Sequence, residues 1–184
     1  MRRGLTVVVI ATLALPVLAL AALIGEQEYR VAGARIINVP VSGVDPRDLL
    51  QGHYLAATFD WNWRPEPAAS GSGGLCVLSA SDSQNPPVRF VAGWKPSDAA
   101  IEGCRLMIAG KARTKTDSRS AAFAPAGLDA GYFTVHLFVD ERRATDLEDL
   151  LRRRPGALSV DLAVLADSGA LVRHLRLDGE ILDR

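Results

Sequence analysis

The chain has 184 residues, long enough for one domain with a real core and short for two. It carries 21 basic and 21 acidic residues; setting aside Arg2 and Arg3 leaves 19 basic against 21 acidic, a net of −2 on everything that follows. A weakly acidic chain lacks the positive surface that phosphate neutralisation demands, so nucleic acid is excluded as a partner.

Residues 4–25 read GLTVVVIATLALPVLALAALIG, without a charge. As a helix, such a run reaches roughly 33 Å, enough for a bilayer core of about 30 Å. Arg2 and Arg3 precede it and Glu26 and Glu28 follow, an asymmetry that keeps the N-terminus in the cytoplasm and exports the rest. Pro16 lies mid-span, where a membrane helix tolerates it. The competing reading is a cleaved leader, since Ala19-Leu20-Ala21 has the small-residue pattern of a cleavage site. The run is longer than the usual leader core, which favours an uncleaved anchor. The organisation expected is an N-terminal membrane anchor, 1–25, and one exported domain, 26–184, at the inner (cytoplasmic) membrane of a bacterial-type envelope.

Residues 26–34 extend the helix or form a stem. The stretch 35–41 is β-branched and reads as a strand, with Pro40 suggesting an edge or an end. A turn follows at 42–46. The next strand, 54–63, alternates Tyr54, Ala56, Thr58 and Asp60 against Leu55, Ala57, Phe59, Trp61 and Trp63. Residues 65–74 are a Pro, Ser and Gly-rich loop. Strands are predicted at 75–80, 88–94 and 105–110, then a polar loop at 114–120 and a strongly alternating strand at 131–140. Thr145 and Glu148 fit a capping box opening a short helix that ends before Pro155, with Arg152, Arg153 and Arg154 at its C-terminal end. A hairpin of 158–165 and 170–177 turns at 166–169. The fold class expected is mainly β, a sandwich or partly open barrel of about eight strands with one short helix, preceded by an N-terminal transmembrane helix.

The segment Val44-Asp45-Pro46-Arg47-Asp48-Leu49-Leu50-Gln51-Gly52-His53-Tyr54-Leu55-Ala56-Ala57-Thr58-Phe59 is the most distinctive in the chain. It resembles the signature of the GDYXXLXY proteins, membrane-anchored bacterial proteins in which a DPRD-type turn precedes that motif. Gly52 and Tyr54 match; His53 stands for the Asp, Ala57 for the Leu and Phe59 for the final Tyr. Further segments at 105–110, 131–133 with 147–148, and 175–179 extend the resemblance over most of 30–180. The family has no assigned reaction, and its members are encoded beside, or joined to, a multi-span membrane protein. The resemblance implies an accessory or interaction subunit of such an inner-membrane protein, with Asp45, Arg47, Asp48, Gly52, His53 and Tyr54 as the ligand- or partner-binding surface. Elementary chemistry gives these residues a plainer role too: Asp45-Pro46 sets a turn, Asp48 bonds nearby backbone, Gly52 allows a bend and Tyr54 packs.

Other chemistry is thin. Ser42 with Lys95 or Lys111 would form the Ser–Lys dyad of a signal-peptidase-like envelope enzyme. Such a base must be buried and within reach of the hydroxyl, and neither lysine lies in an apolar strand context. His53, His136 and His174 lack metal-ligand spacing, so no metal or other cofactor is expected. Trp61 and Trp63 share a face and would suit a glycan- or envelope-binding module, though core packing is the simpler use. The chain is therefore read as a binding protein without catalytic residues. Cys76 and Cys104 would pair only if their strands were neighbours. A meander places the 88–94 strand between them, about 9–10 Å apart and beyond the roughly 7 Å limit, so the reading leans against a disulfide even in an oxidising compartment.

Overall fold

The structure, a computed structural model, describes residues 2–43, 54–79, 84–99, 101–115, 120–128, 133–138, 147, 149–150, 153–154 and 156–182, with 2–11, 43, 54 and 55 described in backbone alone. It divides into two compact units, Met1–Ala34 and Arg35–Arg184.

The first unit is a single helix, α1 (Arg2–Ala32), which carries Pro16 inside it and runs on past the apolar stretch to end near Gly33. Its apolar side chains are not packed away: Leu13, Leu15, Val17, Leu18, Leu20, Leu23 and Ile24 are 59–71% exposed. At 100° per residue those positions fall on every side of the helix. Among the described residues no helix is long and apolar enough to cross a membrane.

The second unit is mainly β, built as two curled half-barrel sheets. Its strands are β1 (Arg35–Gly43), β2 (Tyr54–Phe59), β3 (Asn62–Trp63), β4 (Gly71–Val77), β5 (Pro87–Ala92), β6 (Leu106–Arg113), β7 (Ala122–Pro125), β8 (Val135–Phe138), β9 (Leu158–Val164), β10 (Ala170–Leu177) and β11 (Glu180–Ile181). One sheet has the order β11-β10-β9-β1-β2-β8, the other β3-β5-β4-β6-β7. All pairs are antiparallel except β3 with β5.

The pattern of the sequence explains which faces are buried. Ile37, Val39 and Val41 of β1 alternate inward, as do Ala57 and Phe59 of β2 and Leu75 and Val77 of β4. Both sheets contribute to one hydrophobic cluster, joined by Leu158, Val160, Leu162 and Val164 of β9. Leu147 is buried in it, and the helical residues Leu147, Asp149, Leu150 and Arg153 lie where a short helix was expected. Thr145 and Glu148, the two ends of the expected capping box, lie outside the described residues.

Four expectations are corrected. Pro40 is at neither an edge nor an end: β1 is interior, and Pro40 sits where it changes partner from β9 (through residue 40) to β2 (from Val41), its carbonyl accepting the Asp60 N–H at 2.9 Å. The 54–63 strand is two strands in two sheets, because the chain crosses over at Asp60 and Trp61. The short strands β7 and β11 were not foreseen. AFAP lacks the β-branched run that marks a strand, and β11 depends on a two-residue loop with Asp178 and Gly179 both at positive φ. Finally, 75–80, 88–94 and 105–110 do not form a meander. β4 lies between β5 and β6, so the Cys76 and Cys104 segments are neighbours and the two cysteines are bonded, their Cα atoms 5.3 Å apart.

Candidate functional site

The DPRD-type turn and the start of its motif connect β1 to β2. Asp45, Arg47, Asp48, Gly52 and His53 lie outside the described residues. Tyr54 opens β2 opposite Phe138 of β8, which places the motif's exit on an interior strand of the six-stranded sheet. At the opposite end of β2, Ser42 pairs with Thr58 in the ladder and donates its hydroxyl to Asp60 Oδ2 at 2.5 Å. That bond engages the hydroxyl with a carboxylate rather than an amine. Lys111 stands exposed on β6 of the other sheet, and exposed Lys95 gives its backbone N–H to Asp98 Oδ2 at 2.7 Å. Neither lysine has the burial that a dyad base requires.

Trp61 is 6% exposed and Trp63 half-buried. Trp61 meets Phe59 and Phe123 with ring centroids 5.4 and 5.9 Å apart, and Phe123 in turn meets Phe90. Trp61 is therefore a core residue, not a platform for a sugar. His136 lies on β8 opposite Ala56 and His174 on β10 opposite Asp161, in strands separated by β9, β1 and β2. Among the described residues no three of His, Cys, Asp and Glu gather as metal ligands. Of the basic helix end, Arg154 reaches Asp178 at 3.2 Å and Arg153 reaches Asp149 at 3.9 Å, both on the surface.

Two arrangements were missed by sequence reasoning. The first is a polar cluster on the face of the six-stranded sheet away from the core. Register sets Asn38 of β1 opposite Asp161 of β9 and Arg176 of β10 opposite Ser159. Asn38 Nδ2 donates to Ser159 Oγ (3.1 Å) and Asp161 Oδ1 (2.9 Å), and Arg176 Nε donates to Asp161 Oδ2 (2.7 Å). Arg176 also reaches the Gly179 carbonyl at 2.8 Å, tying this cluster to the β10–β11 turn. Asp161 is only 4% exposed, so its charge depends on those donors. The alternation Leu158-Ser159-Val160-Asp161 carries the signal for an outward Ser and Asp, but their shared partner Asn38 is 121 and 123 residues away in the chain.

The second arrangement surrounds the disulfide. Cys76 is the penultimate residue of β4, between Arg89 of β5 and Met107 of β6. Arg89 Nη2 lies 3.9 Å from Cys104 Sγ and donates to the Glu102 carbonyl at 3.1 Å. Trp94 covers the neighbouring position on the same face, its ring lying against Gly74. Chemically, the first arrangement fixes strand register, and the second fixes the connection between β5 and β6.

The family model described as GDYXXLXY protein aligns with residues 16–175. No curated protein and no solved structure matches.

Proposed function

The chain belongs to the GDYXXLXY protein family, and from that membership we propose that it is a single-pass, membrane-anchored envelope protein serving as an accessory or interaction subunit of a multi-span inner-membrane protein. Residues 4–25 hold it in the bilayer, its N-terminus is cytoplasmic and the β domain is extracytoplasmic. The observation that carries this reading is α1, whose large apolar side chains from Leu13 to Ile24 are exposed on every side. In water that surface would be an aggregation liability; in lipid it is the ordinary state of a spanning helix. The Cys76–Cys104 disulfide adds independent support for export, because such bonds persist in oxidising compartments. On this reading the β1–β2 connection with Asp45, Arg47, Asp48, Gly52, His53 and Tyr54 is the partner-binding surface, and the domain binds rather than catalyses.

Affinity capture of the full chain from detergent-solubilised membranes tests the proposal. A multi-span membrane protein should co-purify, and Tyr54→Ala should lose it while the protein stays folded. A partnerless protein that is retained on murein would overturn the subunit reading in favour of an envelope-binding module.

A further inference from the structure

The two sulfurs of the disulfide are not equivalent. Cys76 is fully buried near the C-terminal end of β4, the middle strand of its sheet, and is flanked by Leu75 and Val77, which are equally buried. Cys104 is half-buried, in the connection that leads into β6, with the Arg89 guanidinium 3.9 Å from its sulfur. Thiol–disulfide exchange needs an incoming thiolate aligned with one sulfur, and access decides which sulfur is attacked. The guanidinium also attracts an anionic thiolate toward Cys104. Its charge would equally ease departure of Cys104 as the leaving sulfur, so it is access that selects Cys104 as the atom attacked.

We propose that Cys104 is the sulfur at which a dithiol partner opens and closes this bond, with Cys76 as the buried resolving half and Arg89 as the positioning residue. On opening, one partner thiolate bonds to Cys104 Sγ, the Cys76–Cys104 bond breaks, and its electron pair leaves on Cys76 Sγ, which takes up a proton. The second partner thiolate then attacks the partner's own sulfur in the mixed disulfide. This releases Cys104 as a thiolate, which takes up a proton from solvent, and leaves the partner as a disulfide. Closing is the reverse: the oxidised partner is reduced by two electrons as the Cys76–Cys104 bond forms. The ligand class is thus a dithiol/disulfide exchange protein, and the site stands whether or not the membrane reading holds. Closing the bond also pins the β5–β6 connection to the sheet face that Trp94 covers. That links the redox state of the pair to the packing of this face.

The test uses the full chain in detergent with reduced glutathione as the probe. The reaction is quenched with acid at early times, and peptide mapping by mass spectrometry locates the glutathione. Cys104 should carry it in about tenfold excess or more over Cys76. Equal labelling, or labelling mainly at Cys76, overturns the proposal. Arg89→Gln should slow the first exchange several-fold and Arg89→Lys should restore most of the rate, with the dependence on ionic strength lost in the Gln variant. An unchanged rate in Arg89→Gln overturns the part assigned to Arg89. Because the labelling ratio is read on the unmodified protein, the outcome does not depend on any variant folding.

Discussion

The indole N–H of Trp61 donates to the backbone carbonyl of Phe123 at 2.9 Å, and the two rings meet edge to face. Trp61 lies where the chain crosses from β2 to β3, and Phe123 lies on the edge strand β7, so this pair ties the crossover to the second sheet. Trp61→Ala should destabilise the domain by about 3–5 kcal/mol through a cavity and a stranded carbonyl. Trp61→Phe retains most of the ring and should lose only about 1–3 kcal/mol for the unsatisfied acceptor. Denaturant melts of the two variants check both the size and the order.

Among the described glycines, Gly73, Gly74 and Gly110 leave no room for a Cβ, and the last two make an informative pair. A Cβ at Gly74 would collide with the Trp94 ring and the Met107 methyl, and one at Gly110 with the Phe123 ring and the Ala124 carbonyl. Alanine at either position should lower the melting temperature by an amount equivalent to about 1–3 kcal/mol. Gly110→Ala should be the worse, because a backbone carbonyl yields less than the end of Met107. Gly33→Ala, which meets nothing within 4 Å, should fall within about 0.5 kcal/mol of wild type.

The cluster around Asp161 predicts coupling. Asp161→Ala removes the Arg176 guanidinium's carboxylate and one of the two acceptors of the Asn38 amide, and should cost about 3 kcal/mol, the low end for a buried pair, since Arg176 keeps some access to water. Asn38→Ala combined with Asp161→Ala should cost clearly less than the sum of the single changes. Strict additivity in a double-mutant cycle would show that the two residues do not act as a unit.

The disulfide closes a loop with a sequence separation of 28. Cys76→Ser with Cys104→Ser should therefore lose about 3–4 kcal/mol of stability by the chain-entropy estimate. The loss should match that of the reduced wild-type protein in a denaturant titration. A negligible loss would mean that the connection is held by Arg89 and its backbone bonds alone.

Topology is checked by a reporter enzyme that works only outside the cytoplasm, fused after Arg184. It should be active, and the protein should stay in the membrane pellet at full mass. Loss of about 2 kDa with release of the domain would show that the N-terminal run is a cleaved leader.

What the sequence determined by itself was local. Alternation of apolar and polar residues located eight of the strands, the final hairpin and the inward faces of β1 and β2, because a strand's side-chain period is an intrinsic property of its backbone. An uncharged run of 22 residues marked α1, and the DPRD-type motif with Gly52 and Tyr54 identified the family. Sheet order belonged to the tertiary structure. Nothing local to residues 75–110 says that β4 lies between β5 and β6, yet that placement is what brings Cys76 to Cys104 and Arg89 to the bond. Likewise, Asn38 and Asp161 meet only through the pairing of β1 with β9, and Trp61 meets Phe123 only because the chain changes sheets after Phe59. These contacts arise from a choice among strand neighbours made by packing both sheets around one core. That choice depends on the whole chain, and no single segment records it.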